Sequence, residues 1–217
     1  MGFNFEKREN ILGLFPEVPE KKAKFSELKR QFFHTAYGIF IIFSVIIFGD
    51  LFVANILTLI LFIGGLLSYL HLKKKIFPIS KILEHVEREN SLFPGMGAFF
   101  FTFGSLMALY LFPENIALAG ICVLTFGDSC SHIFGVYMRN KKYNHPSVKK
   151  MIEGNLAGII VASVAASFFV DPFFGFVGAL VAMVAEFLEF AFTKLDDNFY
   201  IPLLASLVIF LLTTFFG

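Results

Sequence analysis

Seven long apolar segments constrain this chain more than any other feature of its sequence. They cover about residues 32–49, 51–70, 95–112, 115–138, 154–170, 173–193 and 199–216. A helix needs roughly 17 to 25 mostly apolar residues to cross the hydrocarbon core of a bilayer, and each segment has such a length. Only 16% of the residues are charged, whereas soluble domains carry about 25%. The sequence therefore predicts an all-α integral membrane protein with about seven transmembrane helices.

The distribution of basic residues predicts how these helices are oriented. The links after the first, third and fifth segments contain no Lys or Arg, so all 18 basic residues lie in the N-terminal arm and in the other links. Positive charge collects on the cytoplasmic side of membrane proteins. We therefore expect a cytoplasmic N-terminus and a C-terminus outside.

The same patterns predict a simple domain organisation. Residues 1–31 contain several basic residues and no sustained apolar run, which is typical of a cytoplasmic arm. Residues 32–217 contain no Pro/Ser/Gly-rich linker and are predicted to form a single polytopic domain. In the link after the second segment, Ile82, Leu83 and Val86 have helical spacing, which fits a short interfacial helix or an ordinary solvated connector equally well.

Ionisable side chains inside the predicted helices mark the candidate functional site, because such groups are costly in a membrane. These residues are Asp128, His132, Glu186 and Glu189. The predicted orientation brings three of them to the cytoplasmic half of the membrane, together with two neighbouring segments. The residues that converge there are Asp128, Glu186, Glu189, Lys149, Lys150, Glu153, Asp196, Asp197 and Asn198.

Carboxylates beside lysines at a membrane surface suit a site for nucleotide phosphates. Mg²⁺ is held by one or two carboxylates together with substrate phosphate oxygens, and Lys neutralises further phosphate charge. Asp128 is predicted near the depth of a lipid hydroxyl, where a carboxylate can orient or deprotonate the attacking alcohol. The net charge of +1 gives no reason to expect a nucleic-acid partner.

Several of these residues also have a purely structural explanation. Gly127, Ser131 and Gly135 recur at four-residue spacing, which close helix packing explains without catalysis. His132 lies one helical turn after Asp128 and suits a hydrogen-bonded packing partner better than a ligand. Asn198 fits the N-cap of the last helix. The lysines can serve orientation alone.

A second class of function also fits the acidic residues. Asp128, Glu186 and Glu189 could line an ion or proton pathway of a membrane transporter. A proton pathway would need mainly the buried acids, whereas a kinase would need the cytoplasmic lysines as well.

Several blocks of the sequence resemble the family of dolichol kinases, phytol kinases and CTP-dependent diacylglycerol kinases. The N-terminal block comprises Glu27, Lys29, Arg30, His34 and Gly38. The later blocks comprise Gly127-Asp128-Ser129 with Ser131 and Gly135, Lys149-Lys150 with Glu153-Gly154 and Gly158, and Asp197-Asn198 with Ile201-Pro202. The resemblance extends over about residues 26 to 217.

The resemblance implies an enzyme that moves the γ-phosphate of CTP onto a lipid alcohol with the help of Mg²⁺ or another divalent cation. The preferred acceptor would be dolichol or another polyprenol, and phytol, geranylgeraniol or diacylglycerol would be alternatives. The related CTP:phosphatidate cytidylyltransferases use the same nucleotide but attack its α-phosphorus. The oligomeric state stays open. The location would be the cell membrane of a prokaryote or the endoplasmic reticulum of a eukaryote.

The resemblance also implies roles for individual residues. Asp128 would be the catalytic acid and, with Asp197, a metal ligand. The residues implied to bind the nucleotide are Lys29, Arg30, Lys149, Lys150, Glu153, Gly154 and Asn198. Gly127, Ser131, His132 and Gly135 would pack near the site.

Overall fold

Helices form nearly all of the chain that the computed structural model describes, namely residues 20–74, 95–137, 148–192 and 196–217. The elements are α1 (Glu20–Phe48), α2 (Asp50–Lys74), α3 (Met96–Leu111), α4 (Glu114–Cys122), a π-helical segment (Val123–Asp128), α5 (Ser129–Tyr137), α6 (Val148–Ala166), α7 (Pro172–Phe192) and α8 (Asp197–Phe216). The helix α4, the π-helical segment and α5 follow one another without a break, and we call them together the central rod. Each predicted apolar segment coincides with one helix or with this rod. The predicted all-helical fold is therefore confirmed.

Four of these helices are long and apolar enough to cross a membrane. They are Glu27–Phe48, Asp50–Leu70, Glu114–Tyr137 and Asp197–Phe216. Three further apolar helices are shorter, at Met96–Leu111, Ile152–Ala166 and Pro172–Leu188. Large apolar side chains such as Phe40, Phe62 and Phe215 are exposed on the outer faces. An apolar outer surface of this extent matches a membrane protein.

The central rod is the core of the bundle. Ile121, Val123 and Leu124 are fully buried, and α1, α3, α6, α7 and α8 all pack against the rod. The helix α2 lies at the periphery and packs against α1 and α3. The rod therefore brings its side chains into contact with most of the other helices.

Short links close one end of the bundle. Gly49, with a φ of +83°, makes the turn between α1 and α2 in a conformation that favours glycine. The rod and α6 are antiparallel, as shown by the packing of Gly154 near the start of α6 against Gly135 near the end of the rod. The contacts of His132 with Glu27 and Asp197 bring the starts of α1 and α8 to the same end. The start of α3 lies there too, because a Cβ atom on Gly97 would be 4.0 Å from Nδ2 of Asn198. The starts of α1, α3, α6 and α8 and the ends of the rod and α7 therefore share the opposite end, which we call the site end.

Two predicted features can be compared with these boundaries. The helix α1 begins at Glu20, so the boundary predicted at residue 31 is not a break in the helix. No Gly or Pro lies between Glu20 and Tyr37, and Lys, Glu and Leu are good helix formers. The interfacial helix predicted around Ile82 lies outside the described residues.

Candidate functional site

The carboxylate of Asp128 lies between two imidazole rings at the site end. Its Oδ2 is 3.4 Å from Nε2 of His34 on α1, and its Oδ1 is 3.1 Å from Nε2 of His132 on α5. The side chain is almost completely buried, with the residue only 2% exposed. Asp128 is the last residue of the π-helical segment, and such segments occur frequently at functional sites.

A close approach of α1 to the central rod builds this arrangement. A Cβ atom on Gly38 would overlap the side chain of Thr125, so only glycine lets the two helices come so near. One turn earlier, the hydroxyl of Thr35 donates a hydrogen bond of 2.8 Å to Oγ of Ser129. The helical spacing then places Glu27, Arg30 and His34 on the face of α1 that meets the rod.

An ion pair on α1 extends the polar cluster. The carboxylate of Glu27 accepts hydrogen bonds from the Arg30 guanidinium at 2.5 and 3.2 Å, and from Nε2 of Gln31 at 3.0 Å. Nδ1 of His132 lies 3.9 Å from the same Glu27 carboxylate. Arg30 also interacts electrostatically with Asp128 and Asp197. The Arg30 guanidinium is therefore bonded to one carboxylate and lies within the electrostatic influence of two others.

The start of α8 supplies Asp197 to the cluster. Asp196 caps the helix, because its carboxylate accepts hydrogen bonds from the backbone N–H of Asn198 at 3.2 Å and from its Nδ2 at 2.7 Å. The expectation that Asn198 is the N-cap was wrong, since Asp196 has the extended backbone of a cap and Asn198 is already helical. Burial and the neighbouring Asp197 charge raise the pKa of Asp196 to about 6.

Close packing against α3 fixes the start of α8. A Cβ atom on Gly104 would lie 2.5 Å from the carbonyl oxygen of Asn198 and 2.8 Å from that of Phe199. Pro202 has no backbone N–H, so the Asn198 carbonyl lacks its usual helical donor. Because Gly104 has no side chain, the backbone of α3 packs directly against the first turn of α8, which carries Asp197.

Three side chains of the cluster can hold a metal ion together. Asp128, His132 and Asp197 each offer a donor atom, and these atoms lie within 4.8 Å of one another. Oδ1 of Asp128 and Nε2 of His132 are buried and contact each other at 3.1 Å, and the buried Oδ1 of Asn198 accepts no hydrogen bond from the described residues. Two carboxylates suit Mg²⁺, while an added imidazole suits Mn²⁺ or Zn²⁺. The donor set thus fits a divalent cation, and His132 belongs to it.

Comparison with known proteins relates the chain to an archaeal protein. The uncharacterized protein MJ1137 of Methanocaldococcus jannaschii is 35% identical over 188 residues, which cover 84% of this chain and 92% of the relative. The chain belongs to the MJ1137 family. No established family profile matches the chain, and no solved structure matches it.

The small-residue stripe is a helix-packing interface in this member of the MJ1137 family. A Cβ atom on Gly158 would lie 2.7 Å from the carbonyl oxygen of Gly127 and 3.1 Å from Cβ of Ser131. A Cβ atom on Gly154 would lie 2.7 Å from the carbonyl oxygen of Ser131 and 3.2 Å from the nitrogen of Gly135. The packing interpretation of the stripe is confirmed. Gly154 is buried here, and its nucleotide-binding role stays a prediction.

Some of the predicted nucleotide-binding residues do not join the cluster. The ammonium of Lys29 lies 4.5 Å from the ring centroid of Phe25 on an exposed part of α1. Glu153 is exposed on α6. Lys149 and Lys150 lie in the first turn of α6, but their side chains lie outside the described part, as does that of Glu189.

Two residues, Glu27 and His34, enter the cluster without a role assigned to them beforehand, and a third, Glu186, was predicted at this end of the bundle. Glu27 and His34 contact His132 and Asp128 directly, and Glu186 on α7 interacts electrostatically with His132. The spacing of Glu27, Arg30 and His34 shows that these side chains share one face of α1, but it does not show which helix that face meets.

Proposed function

We propose that this protein is a membrane enzyme that transfers the γ-phosphate of CTP to a lipid alcohol with the help of a divalent cation. The observation that carries the proposal is the grouping of Asp128, His132 and Asp197, with donor atoms within 4.8 Å of one another. Arg30 interacts with both carboxylates. Phosphoryl transfer needs such a set, because acids hold the cation and a basic group balances phosphate charge.

The proposed enzyme crosses the membrane seven times with its N-terminus in the cytoplasm. The support is the segregation of all 18 basic residues to one side in this topology. The basic residues belong to the N-terminal arm and to the links that join helices at the site end. CTP would then reach Asp128 and Asp197 from the cytoplasm, while the lipid alcohol would reach them from the bilayer.

The residues of the cluster divide the work of the proposed reaction. A cation held by Asp128, Asp197 and His132 would neutralise charge on the donor phosphates. The alcohol oxygen attacks the γ-phosphorus, the bond from that phosphorus to the β–γ bridging oxygen breaks, and CDP leaves. Asp128 and His34, whose facing atoms are 3.4 Å apart, are placed to take the hydroxyl proton. Arg30 balances the charge of the phosphates.

Two other activities use the same groups. A cytidylyltransferase would join a lipid phosphate to the α-phosphorus of CTP and release pyrophosphate. A proton transporter is favoured by one observation, which is the contact series His34–Asp128–His132, with Glu186 of α7 interacting electrostatically with His132.

One assay separates the three activities. Purified protein in nanodiscs is incubated with Mg²⁺ or Mn²⁺, a panel of lipid alcohols and phosphatidate, and CTP labelled at either the γ- or the α-phosphorus. Label that passes from the γ-position into lipid supports the kinase, and label from the α-position supports the cytidylyltransferase. If neither label is transferred, and proteoliposomes take up protons in a way that Asp128→Asn abolishes, the transporter is correct.

A further inference from the structure

The helix α1 supplies outer partners to two side chains of the proposed metal site. Nε2 of His34 lies 3.4 Å from Oδ2 of Asp128, whereas Oδ1 of the same carboxylate faces His132 at 3.1 Å. Oε1 of Glu27 lies 3.9 Å from Nδ1 of His132. Groups that stand behind metal ligands orient them and strongly affect how tightly the metal is bound. The side chains of α1 therefore bear on the affinity of the site for a cation.

The two ring nitrogens of His132 face different groups. Nε2 is 3.1 Å from Asp128, which belongs to the metal-binding group, whereas Nδ1 faces Glu27. A neutral imidazole carries a proton on one nitrogen, and only the other nitrogen has a lone pair for a cation. A carboxylate beside Nδ1 favours the proton on Nδ1. The lone pair of Nε2 is then directed toward the cation site.

The carboxylate of Glu27 is held in place by its own helix. Nη2 and Nε of Arg30 donate to its two oxygens at 2.5 and 3.2 Å, and Nε2 of Gln31 donates to Oε1 at 3.0 Å. Gln31 is only 1% exposed, so packing fixes its amide. A carboxylate has about four acceptor positions, of which α1 fills three. One position is left for His132, and a movement of about 0.7 Å brings Nδ1 to hydrogen-bond distance.

A simple ion pair on a helix surface does not account for this arrangement. Glu27 and Arg30 are three residues apart and would attract each other on any exposed helix. The Glu27 side chain is only 25% exposed, however, and the His132 side chain that it faces is 28% exposed. The Glu27 carboxylate is therefore largely shielded from water and has a second partner on another helix.

We infer that Glu27 is a positioning residue for the proposed metal site. Its carboxylate accepts a hydrogen bond from Nδ1–H of His132 and turns the Nε2 lone pair toward a divalent cation, while Arg30 and Gln31 hold the carboxylate. The inference rests on the metal site of the proposed function, and Glu27 does not touch the ion. The helix α1 thus sets the metal affinity of a site whose ligands all lie on the rod and on α8.

Manganese titration tests this role of Glu27 without catalysis. Mn²⁺ alone is added to the protein in nanodiscs of zwitterionic lipid, and free Mn²⁺ is measured by electron paramagnetic resonance. Glu27→Gln keeps the size of the side chain but weakens the acceptor, so the Kd for Mn²⁺ should rise about tenfold. Glu114→Gln makes the same change at an exposed acid at the other end of the rod and should leave the Kd unchanged.

A double-mutant cycle distinguishes positioning from simple attraction of charge. Loss of any nearby negative charge weakens cation binding, whether or not His132 takes part. If Glu27 acts through His132, Glu27→Gln should change the Kd by less than about twofold when His132→Gln is already present. A tenfold effect in both backgrounds would show simple attraction and would overturn the inference.

Bound copper gives a spectroscopic test of the imidazole itself. Cu²⁺ binds nitrogen and oxygen ligands more tightly than the other divalent metals of its series. Pulsed electron paramagnetic resonance detects the ring nitrogen that does not touch the copper, and its quadrupole coupling depends on the hydrogen bond of that nitrogen. The signal lost in His132→Gln belongs to His132, and Glu27→Gln should shift its quadrupole frequencies. Unchanged frequencies would contradict a hydrogen bond to Glu27.

The outcomes separate this inference from the proposed function. If Glu27→Gln does not fold, Glu27→Asp keeps the charge, draws the carboxylate away from His132 and should also raise the Kd for Mn²⁺. An unchanged Kd in a folded Glu27 variant would overturn the inference and leave the proposed function standing. Weaker Mn²⁺ binding that depends on His132, without transfer of label from CTP, would defeat only the proposed function. Wild-type protein that binds no Mn²⁺ would overturn the inference whatever the CTP assay shows.

Discussion

Nε2 of His34 lies 3.4 Å from Oδ2 of Asp128, and this contact joins α1 to the central rod inside the candidate site. A buried carboxylate is stable only when charged or hydrogen-bonding groups surround it. Asp128 is 2% exposed and has two imidazoles beside it, with the guanidinium of Arg30 also in electrostatic range. The polar groups of α1 and α5 are thus arranged around a single negative charge.

The first prediction concerns that charge. Asp128→Asn keeps the size of the side chain but removes the charge needed for a cation or a proton, so lipid phosphorylation should fall by roughly 100-fold or more. Asp171→Asn is the matched control, because Asp171 is exposed at the opposite end and caps α7 by accepting from the N–H of Phe173, which Asn can also do. Near-normal activity in Asp128→Asn would remove this residue from the site.

The second prediction concerns the proposed metal ligands. His132→Gln should raise the Kd for Mn²⁺ about tenfold or more, as measured by electron paramagnetic resonance titration in the absence of nucleotide. Asp197→Asn should raise the Mg²⁺ concentration needed for activity. Glu114→Gln, which alters an exposed acid at the other end of the rod, should change neither. Equal Mn²⁺ affinity in His132→Gln and the wild type would favour the packing role predicted for His132.

The fold was largely predictable from the sequence, but the partners within the site were not. Apolar length alone located the helices, and four-residue spacing identified the Gly127 stripe. A lipid-facing surface is as apolar as a bundle interior, so the sequence does not show which face of α1 meets the rod. The contact of His34 with Asp128 depends on that face. Asp196 and Asn198 are equally good capping residues, and only the backbone decides between them.

The third prediction tests the packing of α6 on the rod. A Cβ atom on Gly158 would lie 2.7 Å from the carbonyl oxygen of Gly127 and 2.8 Å from Cε of Met183. Gly158→Ala should therefore destabilise the protein by about 1–3 kcal/mol. Gly64→Ala is the control, because a Cβ atom there meets nothing within 4 Å, and it should be neutral or stabilising. Thermal unfolding in detergent measures both. Equal melting temperatures would mean that the helices are farther apart.

The fourth prediction concerns the nucleotide. Lys150→Ala should raise the KM for CTP and change kcat less, because a lysine that contacts the donor phosphates contributes mainly to binding. Lys29→Ala should have a smaller effect, since the Lys29 ammonium lies over the Phe25 ring on an exposed part of α1. If Lys150→Ala is inserted in the membrane and its CTP titration is unchanged, Lys150 has a role in orientation only.

The last prediction concerns how often the chain crosses the membrane. The helix α3 has 16 residues and is therefore about 24 Å long, which is less than the roughly 30 Å of a hydrocarbon core. A shorter span is possible where the bilayer thins locally, and the proposed placement of all basic residues on one side holds only if α3 crosses. Single cysteines at Asp50, Pro113 and Gly217, in a background with Cys122→Ala and Cys130→Ser, should react with impermeant reagents from outside. A cysteine at Lys142 should react only after the membrane is opened. Reaction of the Asp50 and Pro113 cysteines from opposite sides would mean that α3 does not cross. Reaction of the Lys142 and Gly217 cysteines from the same side would mean that α6 or α7 does not cross.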